Sequence, residues 1–336
     1  MERKSEILSF ESLLIGFSTG SRKKVILPPL KAQSYMGELI AVVGQNGVGK
    51  STLLRTISGL QKPLGGKILL KKKELSGYSR NELAQNIGYI STEPVKVSNM
   101  TVNDLVSLGR FPHTNWVGKL TSEDIEVITD SIAKVGMLDF VNRNITELSD
   151  GERQRAMVAR VLAQDTNLLI MDEPTAFLDI KSKYEIIHLL HELSRKRGKT
   201  VIFSTHDLNV AMGESDKIWL ILDDVFFEGA PEDLILEGAF DRLFSNSLVR
   251  FNNTDGNFTF RSLISGRVKV KGDGNTRIWT EKAINRAGYS VSAEDSHIEV
   301  EVSCNEGRLK WNVSTPDRNE VFFKLYDLVN WLVSKR

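Results

Sequence analysis

Cysteine is almost absent from this chain of 336 residues, and so is excess charge of either sign. The single Cys304 excludes a disulfide framework and a metal site built from several cysteines, and it fits a reducing compartment. A net charge of +1 argues against a large basic surface for nucleic acid. No apolar run approaches the roughly 20 residues that span a bilayer, and the charged N-terminus lacks an apolar signal core. We therefore expect a soluble protein that reaches a membrane only through a partner chain.

What the sequence does contain is a phosphate-binding loop. It follows the apolar run 39–43 and opens an apolar-periodic segment over residues 51–60. Strand, glycine-rich loop and helix in this order direct backbone N–H groups and the positive helix end at phosphate oxygens. Lys50 would reach the β- and γ-phosphates, and the Ser51 hydroxyl would bind magnesium. The loop consists of Gly44, Gln45, Asn46, Gly47, Val48, Gly49, Lys50, Ser51 and Thr52.

Two adjacent carboxylates, Asp172 and Glu173, follow a predicted strand over residues 167–171. A strand buried on both faces brings its C-terminal end to the ligand crevice of an open α/β sheet. Asp172 can bind magnesium there, and Glu173 lies close to where an attacking water would sit. Either acid alone could be a surface charge. After a phosphate loop, the pair favours nucleotide hydrolysis.

The segment Leu148-Ser149-Asp150-Gly151-Glu152 opens a predicted helix between these two motifs. By spacing alone it is an ordinary capped helix start, whose N-terminus could bind an anion. Together with the two motifs, it resembles the L-S-G-G-Q signature of the ATP-binding-cassette (ABC) ATPases, with Asp150 at the third position and Glu152 at the fifth. The resemblance covers roughly residues 9–261, and its motifs follow the family order.

This resemblance implies roles for further residues. Phe17 falls where the family stacks an aromatic ring on adenine, and Asp179 falls in the D-loop that communicates across the dimer. His206 matches the switch histidine near the γ-phosphate, where it would act with Glu173 and Lys50 in catalysis. The family's coupling glutamine is missing. Thr92 lies nearest its place, and Thr92 or Glu93 would replace it as the group that touches magnesium and water.

The fold class follows from the alternation of predicted strands and helices, which indicates an α/β protein. With the resemblance, residues 1–265 are expected to form an ABC ATPase domain with a mixed sheet core, a β-rich N-terminal part and a helical subdomain at about 93–163. In that subdomain, Thr101 and Thr121 each precede an aspartate by three residues, which suits a capping box.

The remainder, residues 266–336, is predicted to be a small α+β domain of unknown role. It combines short alternating strands with predicted helices over 280–287 and 320–333. Its larger aromatic side chains fit either a pocket or a small hydrophobic core. They are Trp279, Tyr289, Trp311 and Trp331.

The resemblance also implies a mechanism and partners. Two copies would close head to tail around ATP and magnesium, each phosphate loop facing the other copy's signature, and would drive a separate polytopic permease from the cytoplasmic face of the cell membrane. Segments 101–113 and 228–234 are similar to importer ATPases for iron–siderophores, haem and cobalamin. An iron chelate, delivered by a substrate-binding protein, is the favoured cargo among these.

Two other functions compete with import. A non-transport ABC ATPase would act on nucleic acid or ribosomes, but the chain lacks the coiled-coil insertion, zinc-binding cysteines or second cassette of those proteins. An inactive regulatory cassette is favoured by the missing glutamine. Against it stand Lys50, Asp172, Glu173 and His206, which are all present.

Overall fold

The computed structural model describes residues 5–19, 22–91, 99–114, 118–245, 248–252, 256–260, 265–292, 294, 296–305 and 308–335. Contacts divide the chain into two units, each with its own hydrophobic core. The first is Met1–Ser245 with Asn253–Asn257, and the second is Asn246–Asn252 with Phe258–Arg336. In the described part of the chain, no helix has both the length and the apolar character to span a bilayer.

Strands of the first unit form a central sheet, an antiparallel sheet packed against it, and a hairpin. They are β1 (Glu6–Leu14), β2 (Gly16–Thr19), β3 (Arg22–Val25), β4 (Leu30–Tyr35), β5 (Leu39–Gly44), β6 (Gly65–Leu70), β7 (Lys73–Glu74), β8 (Ile87–Ile90), β9 (Leu168–Met171), β10 (Thr200–Ser204), β11 (Lys217–Ile221) and β12 (Phe226–Gly229). The central order is β12-β11-β5-β10-β9-β8, and the second sheet runs β4-β1-β6-β7. This is the mixed α/β core that the sequence predicts.

The central sheet positions the candidate site. Strands β11, β5, β10, β9 and β8 are parallel, and β12 is an antiparallel edge. Every residue of β5, β9 and β10 is buried, as expected for parallel strands covered on both faces. Because these three strands are neighbours, their C-terminal ends share one edge of the sheet. The residues that follow each strand therefore come together at that edge.

The two sheets are joined by one core. Phe10 of β1 and Trp219 of β11 are almost fully buried and meet edge to face, with 5.3 Å between ring centroids. Phe226 of β12 completes the aromatic cluster at 6.4 Å from both rings. This packing holds the β-rich N-terminal part against the sheet that carries the site.

Helices of the first unit are α1 (Lys50–Ile57), α2 (Arg80–Asn86), α3 (Val102–Ser107), α4 (Ser122–Lys134), α5 (Asp150–Ala163), α6 (Ile180–Arg197), α7 (Leu208–Glu214), α8 (Pro231–Leu236) and α9 (Ala239–Leu243). Thr101 and Thr121 cap α3 and α4, and both predicted capping boxes are confirmed, with Asp104 and Asp124 as their acids. The 3₁₀ segment Leu108–His113 follows α3, and a buried ion pair of 2.8 Å from Arg110 to Asp124 ties it to α4.

The second unit contains β13 (Val249–Asn252), β14 (Asn257–Phe260) apart from its first residue, β15 (Gly266–Lys271), β16 (Tyr289–Ser292), β17 (Ile298–Asn305), β18 (Arg308–Ser314), β19 (Asn319–Phe322), α10 (Gly274–Arg286) and α11 (Leu325–Val333). Its main sheet has the order β16-β15-β17-β18-β19. Strands β16 and β17 run parallel to β15, whereas β18 and β19 continue the sheet antiparallel. The unit is thus a small α+β fold.

Two expectations for this unit need correction. Residues 319–322 form β19 rather than the start of a helix, because Val321 pairs with Asn312 and Phe322 packs on Trp331. The aromatic residues fill a core, with one exception. Tyr289 and Trp311 are buried and Trp331 packs against them, but Trp279 is 63% exposed on α10.

A strained two-residue turn connects β6 to β7. Lys71 and Lys72 have φ angles of +49° and +65°, and Leu70 pairs with Lys73 across the turn. We expect Lys72→Gly to raise the free energy of unfolding by about 1 kcal/mol, because glycine enters this region without a Cβ penalty. Urea denaturation followed by far-UV circular dichroism measures it. Lys73→Gly, inside β7, should lower stability, and a loss of stability in K72G would contradict the argument.

Candidate active site

The phosphate loop runs from the end of β5 into α1. Gly47 and Gly49 have φ angles of +79° and +115°, a region that side chains rarely enter. At Gly44, a Cβ atom would lie 2.6 Å from the carbonyl oxygen of Ile221, so only glycine fits there. Gln45, Asn46 and Gly47 are exposed at the tip. The loop is thus an open cradle in front of the α1 N-terminus, as the motif predicts.

Lys50 is the buried cation of this cradle, with a relative exposure of 5%. Its Nζ donates to the carbonyl oxygens of Gly44 at 2.8 Å and Gln45 at 3.0 Å. Burial lowers the pKa of Lys50, and the charges of Glu173 and Asp172 oppose that shift. A buried ammonium facing an open loop favours an anionic ligand that restores its charged form.

Ser204 joins the two acids, and motif analysis missed it. Its Oγ donates to Asp172 Oδ1 at 2.7 Å and accepts from the Glu173 N–H at 2.8 Å. Ser204 is fully buried at the end of β10 and Asp172 is 4% exposed. The signal in the sequence was a polar residue closing an apolar strand two positions before His206. Ser204 therefore fixes both the Asp172 carboxylate and the Glu173 backbone, the two groups that flank the expected site of hydrolysis.

His206 connects Glu173 to Lys50. Its Nε2 bonds Glu173 Oε1, and its Nδ1 lies 3.4 Å from Lys50 Nζ. A neutral imidazole protonated on Nε2 satisfies both contacts, since it donates to the carboxylate and accepts from the ammonium. Glu173 itself has a φ of +49°, a strained conformation for a long side chain. The predicted catalytic residues Lys50, Glu173 and His206 are therefore brought together.

The signature residues form a second cluster at the start of α5. Ser149 caps the helix: its Oγ accepts from the Glu152 N–H at 3.3 Å, and its own N–H donates to Glu152 Oε2 at 2.8 Å. The bond from the Ser149 N–H lowers the pKa of Glu152. Asp150 pairs with Arg153 at 2.8 Å, and Leu148 is buried beneath the turn. The motif is thus a fully capped helix N-terminus, as its spacing alone also predicts.

Helix α6 ties this second cluster to the D-loop. Asp179 caps α6 by accepting from the Ser182 N–H at 3.0 Å. A Cβ atom on Gly151 would lie 2.8 Å from Ser182 Oγ, so the signature glycine permits close approach of the two helix starts. Arg155 of α5 bonds Glu185 of α6 at 2.9 Å. The signature turn and Asp179 are therefore fixed relative to each other by contacts between the starts of α5 and α6.

Three remaining predictions have different outcomes. Phe17 lies on β2 and is 54% exposed, which leaves its ring open to stack on a base. Ser51 is exposed on the first turn of α1, and Thr52 is half-buried behind it. Thr92 and Glu93, proposed to replace the family glutamine, lie outside the described residues.

The donor set fits a triphosphate and a hard cation. The loop offers backbone N–H groups and the Lys50 ammonium to phosphate, while Ser51 and Asp172 offer the hydroxyl and carboxylate oxygens that magnesium prefers. Among the described residues, no group of three or more His, Cys, Asp or Glu could hold a metal. Magnesium commonly uses one or two protein ligands together with substrate phosphates.

Comparison with known proteins supplies the family. The model for the ABC transporter family matches residues 27–176. The ferric enterobactin transport ATP-binding protein of Escherichia coli is 33% identical over 235 residues, which is 70% of this chain and 85% of that protein. This chain belongs to the ABC transporter ATPase family. A further model, described as the iron ABC transporter C-terminal domain, matches residues 265–333.

Other relatives of this ABC ATPase agree. The iron(3+)-hydroxamate import ATP-binding protein of Bacillus subtilis is 38% identical over 204 residues, which is 61% of this chain and 74% of that protein. A metal-chelate type ABC transporter in an inward-facing conformation superposes with a TM-score of 0.62 at 29% identity, covering 72% of this chain and 89% of that chain. A dimeric cassette bound to ADP and phosphate superposes with a TM-score of 0.58 at 26% identity, covering 67% of this chain and 99% of that chain. The chain is an ATPase that binds ATP.

Ser204 gives a test of the site in this ABC ATPase. We expect Ser204→Ala to lower kcat for ATP hydrolysis by roughly ten- to a hundredfold, because Asp172 and the Glu173 N–H both lose their partner. Steady-state phosphate release measures it. Ser194→Ala is the matched control, since Ser194 is about as buried and its Oγ donates to the Gly37 carbonyl oxygen at 3.1 Å, away from both acids. A parental kcat in S204A would contradict the assignment.

Proposed function

We propose that this chain is the ATP-hydrolysing subunit of an importer that takes up an iron chelate through a separate polytopic permease. One observation carries the proposal: a chain with an ATPase site also carries, over residues 265–333, a match to the iron ABC transporter C-terminal domain. The relatives named for ferric enterobactin, iron(3+)-hydroxamate and petrobactin import support a siderophore-type cargo over cobalamin. The subunit lies on the cytoplasmic face of the membrane, bound to its permease.

Hydrolysis takes place between two copies of the chain. Each copy contributes the phosphate loop and Glu173 to one nucleotide, and the Ser149 turn to the nucleotide of the other copy. Lys50 leaves the loop carbonyls and meets the β- and γ-phosphates, and Phe17 stacks on the adenine. Magnesium, held by Ser51 and Asp172, would neutralise charge that develops on the phosphates.

Glu173 and His206 organise the attacking water. The Glu173 carboxylate accepts a hydrogen bond from the water and orients it for in-line attack on the γ-phosphate. His206 Nε2 bonds the Glu173 carboxylate and holds it in place, while Nδ1 lies beside Lys50. Because the neutral ring has a single N–H, His206 donates to the γ-phosphate only when that N–H leaves Glu173, and the two contacts alternate. Loss of the γ-phosphate removes the anion that bridges the two copies, and the dimer opens.

The permease is expected at a groove of about 770 Å³ in the first unit. Helices α2 and α5, strand β8 and the 3₁₀ segment 108–113 enclose it, close in sequence to residues 92–98. Its rim exposes Leu60 and Leu108, and its walls carry Arg80 and Arg160. Arg80 is exposed and Arg160 is half-buried. A short amphipathic helix of the permease with an acidic residue matches this combination of apolar rim and accessible cations.

A pull-down tests the proposed function. Tagged Glu173→Gln protein, which binds ATP but hydrolyses it slowly, should recover a polytopic permease from solubilised native membranes when ATP and magnesium are present. Vesicles containing that permease, the chain with its native Glu173 and the substrate-binding protein should then take up a ferric siderophore. Recovery of ribosomes, nucleic acid or only soluble partners would overturn the importer assignment in favour of the non-transport alternative.

The groove makes a second prediction. Leu60→Asp should lower the amount of permease recovered by roughly tenfold, because a charge replaces an apolar contact at an interface. Quantitative blotting of the permease in the same pull-down measures it. Leu236→Asp is the matched control, since Leu236 is 85% exposed and does not line the groove. Equal losses in both variants would place the permease elsewhere.

A further inference from the structure

The signature turn carries more negative charge than a phosphate-binding helix start should. Asp150 and Glu152 occupy the first turn of α5, the helix end that faces the γ-phosphate in the proposed head-to-tail dimer. Carboxylates there stabilise the helix, because they complement its positive end. The same carboxylates repel an approaching triphosphate. A positive charge or hydrogen-bond donor must therefore compensate these carboxylates if ATP is to close the dimer.

The Glu152 carboxylate is hydrogen-bonded within the turn. Its Oε2 accepts from the Ser149 N–H at 2.8 Å and from the Ser149 hydroxyl at 2.9 Å. The carboxylate is thus folded back on the N-cap and its charge is spread over two donors. Asp150 is different, since its side chain is 65% exposed at the first helical position. It is the carboxylate of the turn that an incoming phosphate meets first.

Arg153 is the counter-charge to Asp150. One guanidinium nitrogen bonds Asp150 Oδ1 at 2.8 Å, another donates to the Leu148 carbonyl at 2.9 Å, and Nε points to the Ile145 carbonyl at 3.4 Å. The Arg153 side chain is 27% exposed, so it is more enclosed than its partner. A planar fork with several fixed donors can hold these three groups at once, and a lysine ammonium cannot reproduce that geometry.

We infer that Arg153 is a positioning residue for ATP-driven dimer closure: it neutralises Asp150 and holds it against the loop before α5, so that the signature turn accepts a phosphate. The inference rests on the head-to-tail site proposed above. The chain has Asp150 where the family has a glycine, and its ion pair with Arg153 makes that aspartate compatible with phosphate binding. Removing the arginine leaves an unpaired carboxylate facing the γ-phosphate.

The test is a double-mutant cycle of Asp150 and Arg153 in the full chain with Glu173→Gln as parent, since we expect that variant to accumulate the closed dimer. Analytical ultracentrifugation gives the MgATP concentration for half-maximal dimer. We expect Arg153→Met to raise it by roughly ten- to a hundredfold, because an uncompensated charge enters a partly desolvated interface. Adding Asp150→Asn to R153M should restore at least most of the loss. Asp150→Asn alone should leave the MgATP concentration for half-maximal dimer at the parent's value or lower it.

Further measurements separate charge from structure. Arg195 lies in the last turn of α6 and forms an ion pair with Asp216. Arg195→Met breaks that pair and should not change the MgATP concentration for half-maximal dimer. The R153M defect should be larger at low salt than at high salt, which loss of packing does not predict. Failure of D150N to rescue R153M, or parental dimerisation in R153M, would overturn the role of Arg153. No ATP-driven dimer in the Glu173→Gln parent would instead contradict the head-to-tail site and the proposed function together.

Discussion

Parallel pairing of β5, β10 and β9 is the constraint on which the rest of the site depends. The register Ile202 with Ile40 and with Ile170 brings the ends of three buried strands level. The phosphate loop, the two acids and His206 each begin where one of these strands stops. None of these side chains needs a long loop to reach the others. The site is precise because a fully packed sheet, rather than flexible connections, sets its distances.

Charge explains why this site requires its ligand. Lys50 is buried among loop carbonyls, and burial pulls its pKa down against the opposing charges of Glu173 and Asp172. His206 bridges the Lys50 ammonium and the Glu173 carboxylate. In the proposed function, a triphosphate would offer stronger acceptors to Lys50, so that nucleotide binding would rearrange the catalytic residues as well as fill the loop.

Much of the fold and the site could be predicted from the sequence, and the failures have physical causes. Motif spacing predicted the phosphate loop and both acids, because each role demands a particular residue type at a strand end, and the family resemblance predicted His206. Ser204 was missed because one serine in an apolar strand has no pattern of its own; only strand pairing places it between Asp172 and Glu173. Residues 320–322 were predicted as the start of a helix, but they form β19, which pairs with β18 as a hairpin. A strand of four residues is too short for periodicity to distinguish it from the helix that follows.

Helix α6 shows how one subunit can relate its two separate clusters. Its first turn touches the signature through Ser182 against Gly151, and its Lys183 bonds Asp207 at 2.6 Å, next to His206. Asp207 in turn caps α7 and fixes the chain that presents the histidine. A displacement of the signature by a partner's nucleotide would therefore act on the same rigid helix that positions His206. In a head-to-tail dimer, each subunit would register the neighbouring nucleotide through contacts that it already has when alone.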